Sequence, residues 1–88
     1  MEDIDLKNDI IIRLRKIEGQ VKGIEKMINN ECCCKDVLTQ ISAIRAAMNK
    51  VGGMLIENYA KNCMKGSTEL ELEENVDELV KTLLTFMK

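Results

Sequence analysis

The chain contains no histidine and no proline, and only one tyrosine and one phenylalanine. Nearly all of its apolar content therefore falls on Ile, Leu, Val, Ala and Met, a composition that suits helices far better than sheets. An all-α fold is expected. Without imidazole, the donor set that nickel and cobalt sites draw on is missing, and no second cysteine pair is present to close a structural zinc site. There is no Cys-x-x-Cys pair and no residue placed as a general base, which argues against a small redox enzyme. No run of about eighteen apolar residues exists. The opening residues Met1-Glu2-Asp3-Ile4-Asp5 are acidic where a secretion signal is basic. A cytoplasmic chain without a membrane span is the expectation, and no catalytic role is assigned.

At 88 residues the chain is read as a single domain over 1–88. That length is near the size where one core is marginal and self-association supplies further burial. The formal charge of −2 is unevenly spread. Residues 1–65 carry 11 basic and 9 acidic side chains, net +2, while residues 66–88 carry 2 and 6, net −4. The acidity sits in the tail, and the stretch 13–26 stands at net +3.

Hydrophobic periodicity places three helices. Ile10, Leu14, Ile17, Val21, Ile24 and Ile28 follow one another at alternating spacings of four and three, a heptad seam. This helix is expected to start soon after Asp5 and to end at Asn29-Asn30, residues that tolerate a left-handed turn. A second seam runs through Val37, Ile41, Ile44, Met48, Val51 and Leu55 and starts near Cys34 to Asp36. Gly52-Gly53 lies inside it at a cost of about 2 kcal/mol relative to alanine. The apolar period passes through the pair without a phase shift, so it is read as a close helix crossing. Ala43, Ala46 and Ala47 also allow close approach. Gly66 is expected just past the end of this helix. Thr68 and Glu71 have capping-box spacing ahead of a third seam, Leu72, Val76, Leu79, Leu83 and Phe86, widened by Val80, Leu84 and Met87.

Three of the four cysteines, Cys32, Cys33 and Cys34, stand together at the start of the second helix, and the fourth, Cys63, closes it. In a reducing compartment such thiols are reactive or metal-binding rather than structural. A helix amino terminus and Lys35 favour the thiolate at this junction, while Asp36 opposes it. Along one continuous helix Cys34 and Cys63 are roughly 43 Å apart, so one chain cannot close a site between them. An antiparallel pair of second helices from two subunits would bring Cys34 of each chain beside Cys63 of the other, twice per dimer. Two such thiolates suit Cu(I), or can be oxidised or joined through sulfur. Tyr59, one turn before Cys63, reads by itself as an ordinary amphipathic residue, the methionines as core filler, and the basic face of the first helix as a solvated surface.

Two stretches add to this. Arg13-Leu14-Arg15-Lys16-Ile17-Glu18-Gly19-Gln20-Val21-Lys22-Gly23-Ile24 and Cys34-Lys35-Asp36-Val37-Leu38-Thr39-Gln40-Ile41-Ser42-Ala43-Ile44-Arg45-Ala46-Ala47 resemble the copper-sensitive operon repressor family, and with Leu55 to Cys63 the likeness covers about residues 10–65. The resemblance implies a three-helix subunit, a long helical hairpin plus a short third helix. It also implies a homodimer built on antiparallel second helices, and a disc-like homotetramer of two dimers. It implies operator DNA as the partner, bound without a helix-turn-helix motif, with Arg13, Arg15, Lys16, Gln20, Lys22, Arg45 and Lys50 as the candidate contacts. In the family's copper sensors a cysteine matching Cys34 works with a histidine and a cysteine from the other subunit, at the positions of Tyr59 and Cys63. Here a phenol replaces the imidazole, and a phenol is a poor ligand for soft Cu(I). In this the chain is similar to the family's persulfide-sensing branch, which links the two cysteines through sulfane sulfur. Two inducers stay open, sulfane sulfur and Cu(I), with Cys33 or Cys32 able to supply a third sulfur to copper or to resolve a persulfide on Cys34. A reading from another class is a copper- or sulfur-handling thiol protein that binds no DNA.

Overall fold

The computed structural model describes residues 3–63, 65 and 68–88, with Cys63 described in its backbone only. The described residues form three helices, α1 (Ile4–Asn29), α2 (Cys34–Cys63) and α3 (Glu69–Met87). They contain no strand. Two compact units are present, residues 1–51 and residues 52–88, with the division inside α2 at Gly52.

The first unit is a helical hairpin of α1 and the opening half of α2. Its α1 starts slightly ahead of the expected point because Asp3 caps it, the carboxylate accepting from the Leu6 backbone N–H at 3.1 Å. One of the amides that a helix start leaves unpaired is thereby satisfied. The buried core is Ile10, Ile17 and Val51, each under a tenth exposed. These residues show how the seams divide. On α1, Ile10 and Ile17 are buried and Ile24 half-buried, whereas Leu14, Val21 and Ile28 are exposed. On α2, Val37 and Ile44 are half-buried and Val51 buried, whereas Ile41, Met48 and Leu55 are exposed. Every second seam position is thus covered by the chain's own packing, and the alternate set faces outward. Fully burying an exposed side chain of this size is worth about 1.5–3 kcal/mol; the outward set is already partly covered, from 38% exposed at Ile41 to 62% at Ile28, and association can recover the remaining part at each position.

The second unit holds the end of α2 and α3. Thr68 and Glu71 form the expected capping box: the Glu71 N–H donates to Thr68 Oγ1, and the Thr68 N–H donates to Glu71 Oε2, both at 3.3 Å. The inner stripe Leu72, Val76, Leu79 and Leu83 is half-buried, and Val80, Leu84 and Met87 are exposed. Helix α2 passes unbroken through Gly52-Gly53. The close approach expected there is real at Gly52, but it comes from the ring of Phe86 rather than from a crossing backbone; Gly53 has nothing within 4 Å of a Cβ position. The helix-ending role expected of Gly66 falls outside the described residues. Among the described residues, no helix is long and apolar enough to cross a membrane.

Candidate sensor site and DNA-facing surface

The junction that carries the cysteine triplet is built by backbone geometry. Helix α1 ends in a Schellman arrangement: the Glu31 N–H donates to the Ile28 carbonyl at 3.1 Å and the Cys32 N–H to the Met27 carbonyl at 2.9 Å. The left-handed residue this requires is Glu31, at φ 54°, not one of the asparagines. Asn30 instead forms the helix cap at φ −92°. Two residues on, the Cys33 carbonyl accepts from the Asp36 N–H at 3.0 Å and the Val37 N–H at 3.2 Å. Cys33 therefore stands at the amino-terminal cap of α2, and Cys34 is its first helical residue. Cys32, Cys33 and Cys34 are all free and exposed, open to a solvent-borne reagent or another subunit.

At the other end, Cys63 is the last residue of α2, and its side chain lies outside the described residues. Tyr59 stands one turn earlier and is half-buried. Because α2 is unbroken, the triplet and Cys63 occupy opposite ends of one helix, as the spacing requires. Among the described residues, no three His, Cys, Asp or Glu side chains of one chain converge as a metal cage.

All seven candidate DNA contacts belong to the first unit. Arg15, Lys16 and Lys22 are exposed on α1, and Arg45 and Lys50 on the first half of α2. Arg13 is different: its Nε donates to Asp9 Oδ1 at 3.0 Å, one turn back on the same helix. Gln20 is half-buried, and its Oε1 is buried with no hydrogen-bond partner. A cavity of about 120 Å³ lies here, lined by Arg13, Lys16, Ile17, Gln20 and Ala47. The sequence reading passed over Asp9 and read Ala47 only as a small residue. The acid–base spacing of four between Asp9 and Arg13 was the available signal, since it places the two side chains on one face of a helix.

Residues 6–85 match the sequence profile described as metal-sensitive transcriptional repressor. The chain is 40% identical over 83 residues to the copper-sensing transcriptional repressor CsoR of Bacillus subtilis, an overlap covering 93% of this chain and 82% of that protein. The crystal structure of the copper-sensing repressor CsoR with Cu(I) from Geobacillus thermodenitrificans superposes with a TM-score of 0.89 at 38% identity, over 100% of this chain and 93% of that one. A variant of the formaldehyde-responsive regulator FrmR from Salmonella enterica serovar Typhimurium superposes with a TM-score of 0.84 at 25% identity, over 98% and 99%. One fold thus serves regulators named for different inducers, and the fold alone does not select among them.

Proposed function

The chain belongs to the metal-sensitive transcriptional repressor family, a family of regulators rather than enzymes, and from that premise we propose that it is a cytoplasmic repressor released from operator DNA by sulfane sulfur. The repressing form is reduced. Two or four copies assemble through antiparallel α2 helices, which sets Cys34 of one subunit beside Cys63 of the partner subunit. The Cys34 thiolate attacks the sulfane sulfur of a polysulfide, taking one sulfur as a persulfide while the shortened polysulfide leaves. The thiolate of Cys63 of the partner subunit then attacks the Sγ of Cys34 itself, breaking its bond to the outer sulfur. A disulfide forms and hydrosulfide departs, so the two thiols are oxidised and one sulfane sulfur is reduced. A further sulfane sulfur gives a trisulfide by the same steps. The bridge favours a form of the assembly whose cations match the operator less well, a coupling worth typically 1–3 kcal/mol.

The observation that carries this reading is the donor set. Free, exposed Cys34 opens α2, Cys63 closes it, and the side chain one turn before Cys63 is the phenol of Tyr59 in a chain without histidine. Two thiols suffice for a sulfur bridge. Copper is less well served, because the third donor is a phenol oxygen, hard where Cu(I) is soft.

A second reading, a Cu(I)-sensing repressor, is favoured by the copper-sensing relatives. It is also favoured by Cys32 and Cys33, exposed beside Cys34 and able to supply a third sulfur.

The deciding experiment uses Cys34→Ser with a fluorescent operator duplex. The variant is expected to bind DNA like the parent and to stay bound when polysulfide is added. In the parent, mass spectrometry should then show a covalent dimer linked through Cys34 and Cys63. Release of the variant by polysulfide would sink the model.

A further inference from the structure

We infer that the cavity between α1 and the first half of α2 seats one phosphate group of the DNA backbone, and that Asp9 holds Arg13 in reserve until that phosphate arrives. The inference rests on the repressor reading and goes beyond it, since it assigns a single-phosphate pocket and an internal competitor for it.

The pocket has the chemistry of an oxyanion seat. Asp9, Arg13, Lys16 and Gln20 follow one another along α1 at spacings of four, three and four, which sets them in one stripe. The stripe borders the packed face of α1, and Ala47 of α2 faces it across the cavity. A small residue at 47 leaves the space open. The volume, about 120 Å³, has room for an oxyanion with its nearest waters. Two walls are cationic, and Lys16 has no ion-pair partner among the described residues. A third wall is the Gln20 amide, whose buried oxygen is unpaired. Buried polar groups are ordinarily satisfied, so the orphan oxygen of this lining residue marks a place where a donor is missing. A half-turn of the amide exchanges the oxygen for an NH₂ donor. An oxyanion in the cavity would then meet three donors: guanidinium, ammonium and amide.

Asp9 explains why Arg13 is not simply one more exposed cation. Its carboxylate offers the guanidinium the same kind of charged acceptor that a phosphate offers. The Asp9–Arg13 pair is 49% and 42% exposed on the two side chains, and ion pairs at that exposure are weak. Such a pair keeps Arg13 ordered and partly neutralised, yet yields to a phosphate that also engages Lys16 and Gln20. Arg15, Lys22 and Lys50 are exposed on the same unit. Exposed cations beyond the pocket itself suit a polyanion better than a single small anion.

The test uses the full-length reduced protein and a duplex that the wild-type chain selects from a randomised pool. Operator affinity is measured by anisotropy for wild type, Asp9→Asn, Arg13→Gln and the double variant, with circular dichroism confirming that each is folded. Asp9→Asn is expected to tighten binding about twofold per engaged subunit, the scale of a surface helix pair, and Arg13→Gln to weaken it and lower the salt dependence. In the Arg13→Gln background the gain from Asp9→Asn should vanish. An equal gain in both backgrounds would mean a general charge effect and overturn the hand-over, with operator binding intact.

The source of the phosphate is read from the Gln20 side-chain NH₂ resonances. They should shift with the duplex at its binding concentration, and with inorganic phosphate at equal ionic strength only at far higher concentration. The reverse order would make this a free-anion site and overturn the DNA assignment. Failure of the wild type to enrich any duplex would overturn the repressor reading and this inference with it.

Discussion

Phe86, near the carboxyl end of α3, lies over Gly52 in the middle of α2, so that a Cβ on Gly52 would stand within the ring. The next residue, Gly53, faces open space. Two adjacent glycines in one helix therefore differ in what they permit. Gly53→Ala gains helix propensity with no clash in the subunit and should raise stability by about 0.5–1 kcal/mol. Gly52→Ala gains the same propensity but must push the ring aside, and should be at least about 1 kcal/mol less stable than Gly53→Ala. Urea midpoints of the two variants measure the difference. Equal midpoints would mean that the Phe86 contact contributes nothing, and a destabilised Gly53→Ala would place that glycine at a contact between subunits.

The helices were legible because their signals are local. Seams of period 3.5, an acid or threonine ahead of them and a capping box leave direct traces in sequence order, and Thr68 with Glu71 formed as their spacing indicated. What periodicity cannot say is which members of a seam the chain covers for itself. Ile10 and Leu14 look equivalent in sequence, yet one is buried and the other exposed. The cysteine positions were legible for a geometric reason, because an unbroken helix forbids its ends to meet. The Asp9–Arg13 pair had a local signal in its spacing of four and was passed over; the unpaired Gln20 oxygen had none, since its burial depends on side-chain positions next to a second helix. Glu31 was missed because a left-handed glutamate runs against residue preference and is held there by the two hydrogen bonds that end α1.

Tyr59 sets the choice between inducers. Restoring an imidazole one turn before Cys63 would complete a two-sulfur, one-nitrogen set, and Tyr59→His should therefore raise Cu(I) affinity by at least about tenfold, the scale of a lost metal-site partner. Competition with a chromogenic Cu(I) chelator reads this directly. The same variant should still form the Cys34–Cys63 bridge with polysulfide, because that reaction uses only the thiols. An unchanged copper affinity would show that Tyr59 lies outside the site, and would remove the main argument against copper in the parent chain.

The outward half of the α2 seam carries the last prediction. Ile41, Met48 and Leu55 are exposed on the helix that the proposed dimer pairs antiparallel with its copy. A carboxylate at the middle of that stripe would be desolvated in the dimer beside its own symmetry mate, with no opposite charge supplied by the stripe itself. Met48→Glu should therefore shift the protein to monomer in analytical ultracentrifugation, weakening association by at least about 2 kcal/mol per dimer. Helix content should fall only in part, because Ile10, Ile17 and Val51 are buried within one chain. Bridging is the sharper readout. Cys34 and Cys63 of one chain sit at opposite ends of α2, so the monomeric variant can acquire a persulfide on Cys34 but has no Cys63 within reach to resolve it. Polysulfide treatment should then yield monomer, carrying a persulfide on Cys34 or a disulfide within its own cysteine triplet, and no covalent dimer. A covalent dimer formed as readily as in the parent would mean that the thiols meet through some other face, and the antiparallel α2 arrangement would have to be abandoned.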